Sequence, residues 1–153
     1  MTAEPFVSKP GQGERLAFMG QVSFVRATGD NTGGALTLTE TRTPTGNGPP
    51  KHVHENEDEM FFVIEGELSM TLGDETHGAP AGTFVFAPRG IPHAYVATGE
   101  KSRHLTLVTP PGFESFFADS SEAAIAGPTA VAAVAERYGV TMLAEPSERK
   151  DAP

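Results

Sequence analysis

The stretch that decides the fold is residues 46–66, which read GNGPPKHVHENEDEMFFVIEG. A loop rich in Pro and Gly leads into the short extended segment His52-Val53-His54. Residues two apart in a strand point to the same face, so the imidazoles of His52 and His54 start about 7 Å apart. Glu59 follows five residues after His54, past a polar turn, where the chain enters the strand Met60–Ile64. The stretch therefore predicts a β-domain that brings two histidines and a glutamate together.

Short strands account for most of the remaining sequence. Gly and Pro number 17 and 13 of the 153 residues, too many for a helical bundle, and they separate short apolar runs. The turn Glu65-Gly66-Glu67 predicts a β-hairpin whose arms are Met60–Ile64 and Leu68–Leu72. Further strands are predicted at Leu16–Met19, Gln21–Ala27, Ala35–Arg42, Thr83–Ala87, Ala94–Ala97 and Arg103–Thr109. Strands this short and evenly spaced indicate a sandwich or a barrel, and hence an all-β fold class.

The last third of the chain has helical spacing. Phe113, Phe116 and Phe117 stand at i, i+3 and i+4, and a second apolar stripe runs between Pro128 and Gly139. We expect one or two helices packed on the outside of the barrel; a role in closing its mouth, or in a dimer interface, is left open. The predicted organisation is an extended lead-in over 1–15, a barrel over 16–110, a helical segment packed on it over 111–144, and a flexible tail over 145–153.

Composition and charge limit the partners. Eleven Lys+Arg against twenty Asp+Glu give a formal net charge of −9, which argues against a nucleic acid or an anionic membrane as partner. No apolar run approaches the ~20 residues of a membrane span, and the first residues lack a signal-peptide pattern. We expect a cytoplasmic protein that binds a small molecule. The absence of cysteine excludes disulfides and thiolate metal sites.

Three histidines and one glutamate form a candidate metal site. His93 begins a predicted strand after the turn Pro88-Arg89-Gly90-Ile91-Pro92, and it joins His52, His54 and Glu59. Three imidazoles and one carboxylate suit one divalent transition metal, namely Fe, Mn, Ni, Cu or Zn. Four protein ligands leave two positions of an octahedral metal open, and a site balanced by one carboxylate favours an anionic oxygen such as an enolate.

The other two histidines and the acidic run beside the site are not predicted to bind the metal. His77 falls in a predicted polar turn over Gly73–Gly78, and His104 is expected to be an ordinary surface or strand residue. The acidic run Glu55–Asp58 is predicted to be a solvated turn. Tyr95 is expected to line the substrate pocket because it stands two residues from His93 and shares its face.

The spacing of these residues resembles two signatures of the cupin superfamily. Gly46-x5-His52-x-His54-x4-Glu59-x6-Gly66 is similar to the first signature, and Gly82-x5-Pro88-x-Gly90-x2-His93 is similar to the second. The family often closes the second signature with Asn, where this chain has Ala97; that position is not a metal ligand. The resemblance implies a cupin double-stranded β-helix, a jelly-roll barrel with the metal inside near its mouth and a short helical C-terminal addition.

Three segments narrow the resemblance within that superfamily, namely His52–Gly66, Pro110-Pro111-Gly112-Phe113-Glu114 and Tyr138-Gly139-Val140. They resemble small single-domain proteins described as quercetin 2,3-dioxygenase-like. The resemblance implies a metal-dependent dioxygenase that cleaves a flavonol-like or other enolic aromatic substrate with dioxygen, with Glu59 as ligand and catalytic base. Two alternatives stay open: a non-redox isomerase or cyclase, and a small-molecule-binding cupin without turnover. Phe61 and Phe84 are further candidates for the pocket. Homodimerisation is also expected, because barrels of this kind have exposed sheet edges.

Overall fold

The computed structural model describes residues 2–143, which form eleven strands and two helices. The predicted tail over 145–153 lies outside the described residues. In chain order the elements are β1 (Glu14–Phe18), β2 (Gln21–Ala27), β3 (Thr37–Thr43), β4 (His52–His54), β5 (Asp58–Glu65), β6 (Glu67–Leu72), β7 (Glu75–Pro80), β8 (Phe84–Ala87), β9 (His93–Ala97), β10 (Ser102–Thr109), α1 (Glu114–Ala126), α2 (Pro128–Arg137) and β11 (Val140–Met142).

The strands form two antiparallel sheets. One has six strands in the order β1-β2-β3-β10-β5-β8, and the other has five in the order β11-β4-β9-β6-β7. Burial alternates along β2 and β10, as expected for strands with one face inside. Phe61, Val63, Leu68, Met70 and Tyr95 belong to the apolar core between the sheets. These hydrophobic side chains thus fill one region between the two sheets.

The predicted hairpin over Met60–Leu72 is wrong, because β5 and β6 lie in different sheets. β5 pairs with β10 and β8, whereas β6 pairs with β7 and β9. Gly66 has φ 76, and a Cβ there would lie 2.7 Å from Cα of Ser102. The left-handed glycine therefore carries the chain around a corner between the sheets instead of folding it back in one sheet.

A polar edge strand replaces the predicted turn over Gly73–Gly78. The chain reverses after Leu72, and β7 returns along β6 with Leu72 opposite Glu75. Four of the first five β7 residues are exposed, His77 among them. Alternating apolar residues mark strands with one buried face, so an edge strand with polar residues on both faces escapes that pattern.

The C-terminal segment consists of α1, α2 and a strand that the sequence pattern did not predict. Gly139, with φ 69, leads into β11, which pairs with β4 at the margin of the five-stranded sheet. Phe113, Phe116, Val134 and Val140 share one buried cluster. The segment thus becomes part of the sheet that holds the two histidines of β4.

An ion pair fastens the N-terminal residues to the outside of the six-stranded sheet. Arg26 donates to the carboxylate of Glu40 and to the carbonyl oxygen of Ser8, and the Gly11 amide donates to the same carboxylate. The Glu40 side chain is 1% exposed, so its charge is compensated where it is buried. Residues before β1 are therefore held against the sheet by specific polar contacts.

Three phenyl rings are exposed on the outer face of β5 and β8. Phe62 pairs with Phe84 across the two strands, and Phe86 stands opposite Met60. The expected homodimer stays a prediction, and this apolar patch is a surface that such a contact can cover. None of the helices in the described part of the chain is long and apolar enough to cross a membrane.

Candidate metal centre

Three strands supply the four residues of the candidate site. His52 and His54 stand on β4, Glu59 lies near the start of β5, and His93 is the first residue of β9. All four are buried, and His52 is opposite His93 in the register of β4 and β9. Because side chains two residues apart share a face, both β4 imidazoles point into the interior. The chain then passes from β4 in one sheet to β5 in the other, which brings Glu59 close to these imidazoles.

The four side chains converge closely. One ligand atom from each residue lies within 4.8 Å of those of the others. Oε2 of Glu59 is 2.7 Å from Nε2 of His93 and 3.1 Å from Nε2 of His54. The His52 and His93 ring centroids are 4.5 Å apart. The structure therefore brings together all four residues that the sequence predicts as ligands.

Neighbouring acceptors orient the imidazoles. Nδ1 of His52 donates to the Pro50 carbonyl oxygen at 2.7 Å, and Nδ1 of His93 donates to the Ile91 carbonyl oxygen at 3.2 Å. Nδ1 of His54 lies 3.5 Å from the Glu57 carboxylate. Carbonyl oxygens thus engage Nδ1 of His52 and His93, which leaves Nε2 of these two rings to act as the ligand, whereas Nδ1 of His54 faces a carboxylate without a hydrogen bond. Such partners fix the tautomer and the ring orientation of metal-binding histidines.

Burial and mutual charge shift the pKa values of this group. Burial opposes the ionisation of Glu59, but His54 and His93 hold the pKa of Glu59 well below its usual range. Burial also opposes the charge on His54, yet the Glu59 and Glu57 carboxylates raise the pKa of His54 to about 9. Burial, aided by the charge on His93, lowers the pKa of His52 to about 3 against the pull of Glu59.

The donor set fits a divalent transition metal. The only carboxylate among the four residues is ionised, and the imidazoles present one nitrogen each toward it. Both Nδ1 and Nε2 of His54 are buried without a hydrogen-bond partner among the described residues. A cation held by these four residues would satisfy the buried Nε2 and would replace the proton on His54 as the charge that balances Glu59.

An apolar cavity of about 60 Å³ adjoins the centre. Aromatic side chains from both ends of the chain line one side, namely Phe18, Phe113, Phe116 and Phe117. Ligand pockets have volumes of roughly 300–1,000 Å³, so this cavity has room for only a few water molecules. The C-terminal segment, whose role the sequence left open, thus forms part of the cavity wall, and Val140 and Met142 of β11 also line it.

Two of the three predicted pocket residues line this cavity. Phe61 and Tyr95 do so, but Phe84 does not, and its placement in the pocket is corrected. Phe84 is 61% exposed because it pairs with Phe62 on the outer face. Consecutive strand residues face opposite sides, so when Phe61 points inward, Phe62 and its cross-strand partner point outward.

Sequence reasoning missed the polar wall of the cavity. Gln21 accepts hydrogen bonds from the Tyr95 hydroxyl at 2.7 Å and from Thr43 Oγ1 at 2.8 Å. Ser23 and Thr41 also line the cavity, with their hydroxyl oxygens 2.9 Å apart. The contact of Glu57 with Nδ1 of His54, outside the cavity wall, was also missed, because Glu57 belongs to an acidic run that was predicted to be a solvated turn. Alternating polar residues in β2 and β3 were the available signal, and they resemble an ordinary solvent-exposed strand face.

His104 is not a surface residue; it is fully buried in β10. Its ring packs edge-on against Tyr95, with 4.8 Å between centroids, and burial lowers the pKa of His104 to about 4. It is therefore a neutral imidazole behind the cavity wall at neutral pH.

The metal-free protein is expected to be most stable near pH 6.5. The folded-state pKa values of His52 and His104 lie below the unfolded value of ~6.5, so the unfolded chain takes up more protons as the pH falls below that value. His54 acts in the opposite sense: its raised pKa contributes stability below pH 6.5, which is lost as the pH rises through about 9.

Thermal unfolding of chelator-treated protein across this pH range measures the effect. In a His54→Gln variant the loss on the alkaline side should disappear. A melting temperature of the parent protein that climbs steadily from acid to alkaline pH would contradict the assignment.

The chain is similar to proteins of one family. Residues 39–109 match the Cupin domain family. Quercetin 2,3-dioxygenase of Bacillus subtilis is 32% identical over 99 residues, which are 65% of this chain and 29% of that protein. The chain thus spans less than a third of the length of that relative.

Solved structures show the same architecture. KdgF from Halomonas sp. superimposes with a TM-score of 0.66 at 18% identity, over 73% of this chain and 99% of that one. The polyketide cyclase RemF from Streptomyces resistomycificus gives a TM-score of 0.51 at 25% identity, over 59% and 64% of the two chains. The expected jelly-roll fold with a short helical addition is confirmed. With two facing sheets, a converged His-His-Glu-His group and these relatives, the chain belongs to the cupin superfamily.

Proposed function

We propose that the protein is a metal-dependent dioxygenase acting on a flavonol-like or other enolic aromatic substrate. The observation that carries the proposal is the position of the Glu59 carboxylate, which touches two candidate ligands and also lines a cavity walled by phenyl rings. The similarity to quercetin 2,3-dioxygenase supports the substrate class and the use of dioxygen. One divalent metal, held by His52, His54, Glu59 and His93, supplies positive charge that stabilises an oxyanion.

In the proposed reaction, the protein's own residues bind the substrate, exclude water from it and accept its proton. Phe61, Phe113 and Phe116 present apolar faces to an aromatic substrate and exclude water from it. Glu59 is placed to accept the proton of an enolic hydroxyl at its carboxylate oxygen. The Tyr95 hydroxyl donates to Gln21, and both residues line the cavity, which gives the substrate a polar boundary. Because the cavity is small, a multi-ring substrate requires the phenyl rings of the C-terminal segment to move aside.

A non-redox reaction is the second candidate. The similarity to the polyketide cyclase RemF favours it, because a base beside an oxyanion site also suits cyclisation or isomerisation of an enolic intermediate. Tight binding without turnover is the third outcome that the same site permits.

Oxygen consumption distinguishes these functions. Protein reconstituted separately with Fe, Mn, Ni and Cu is given a panel of flavonols and other enolic aromatics, while dissolved oxygen and product are followed together. We expect oxygen uptake in step with substrate loss, and none in a His93→Ala control. Product without oxygen uptake would replace the dioxygenase by the non-redox reaction, and saturable binding without product would replace it by the binding function.

A further inference from the structure

Strand β4 carries two of the four candidate ligands but has little support of its own. It is three residues long, and its register with β9 on one side is the single pair His52 and His93. On its other side β11 pairs with all three residues, placing Val140 opposite His54 and Met142 opposite His52. The neighbour that holds the ligand strand along its whole length is therefore β11.

Further contacts continue this attachment beyond the strands. The Glu55 amide donates to the Gly139 carbonyl oxygen at 2.9 Å, and the Leu143 amide donates to the Lys51 carbonyl oxygen at 2.8 Å. Hydrogen bonds thus bracket β4 at both ends. The Phe113 ring packs against the His54 imidazole with 4.8 Å between centroids. The C-terminal segment therefore touches a ligand ring as well as the ligand backbone.

We propose that residues 113–142 are a positioning element for the metal ligands, such that docking of this segment and binding of the metal strengthen each other. The inference rests on the metal site of the proposed function and not on the reaction. With the segment docked, β4 is held with both imidazoles directed at Glu59. Without it, β4 keeps the pairing of His52 with His93 and the hydrogen bond from the Gly90 amide to the His54 carbonyl oxygen, and metal binding has to order the strand more fully as well as fill the site. Coupling between two binding events is reciprocal, so the metal must favour docking by the same factor.

Thr141 offers a variant that loosens the segment without touching the site. Its side chain is exposed, it does not line the cavity, and it pairs with Val53, the residue between the two histidines. Thr141→Pro removes the amide from this pairing and cannot form a regular ladder. Thr141→Val keeps the amide and the branched shape, so it is the matched control.

The test measures metal affinity and hydrogen exchange on the whole chain. Ni²⁺ and Zn²⁺ dissociation constants come from competition with a chelator, for the parent protein and for both variants. We expect Thr141→Pro to bind each metal roughly tenfold more weakly, within the usual range of coupling between sites, and Thr141→Val to match the parent. Unchanged affinity in Thr141→Pro, with exchange showing β11 released, would overturn the proposal.

A second measurement needs no variant. Adding Ni²⁺ or Zn²⁺ to the parent protein should slow amide exchange in β11 and α2, which contain no ligand. Unchanged exchange there, in protein that has bound the metal, would overturn the coupling while leaving the metal site intact. Failure of the parent protein to bind either metal would instead overturn the metal site on which the inference rests.

Discussion

Glu59→Gln is expected to keep a substantial share of the bound metal while losing about 10²–10⁴-fold in turnover, the range typical of a positioned proton transfer. The amide preserves the shape and one oxygen donor but removes the charge and the basicity. In the structure the carboxylate contacts His54 and His93 and borders the cavity, and the proposed double role as ligand and base rests on these contacts. The measurement is turnover of the substrate found by the oxygen-uptake panel, normalised to metal content.

The histidine variants provide the comparison. His52→Ala, His54→Ala and His93→Ala each remove a neutral donor, so metal content and turnover should fall together. Glu59→Gln should separate the two quantities. A Glu59→Gln protein that is as active per bound metal as the parent would show that the glutamate is a ligand only, and would remove the base from the proposed reaction.

Metal binding is expected to raise the melting temperature by roughly 5–10 °C. A metal at 100 times its dissociation constant adds about 2.7 kcal/mol to the free energy of unfolding, and a chain of this size gains roughly 2–4 °C per kcal/mol. The ligands come from three strands and are assembled only in the folded protein. Thermal unfolding before and after chelation, with metal content measured in both samples, checks the shift.

The pH dependence of affinity gives the same experiment a second readout. Protons compete with the metal for His54, whose pKa is raised to about 9, so affinity should keep increasing up to about that pH. A His93→Ala protein should show little response to added metal. An unchanged melting temperature of the parent protein after confirmed metal removal would contradict the prediction.

Two of the four candidate ligands were predictable from short-range geometry. His52 and His54 share a face through the two-residue period of a strand, whereas Glu59 and His93 were added by their residue types and by a spacing that resembles the cupin signatures. These positions need no knowledge of which strands are neighbours.

What the sequence did not predict depends on sheet membership. Gly66 permits either a hairpin or a corner, and only the pairing of β5 with β10 and β8 decides between them. The inward direction of Phe61, and with it the outward direction of Phe84, follows from the same pairing. β11 is three residues long and is stabilised by β4, so it has too little pattern of its own to be recognised.

The position of β11 in the chain also bears on how the protein is made. Translation proceeds from the N-terminus, so all four ligand residues leave the ribosome before Val140–Met142. Until then β4 is without the partner that pairs with its whole length. If residues 113–142 position the ligands as proposed, tight capture of the metal follows the synthesis of β11 and is a late event in biogenesis.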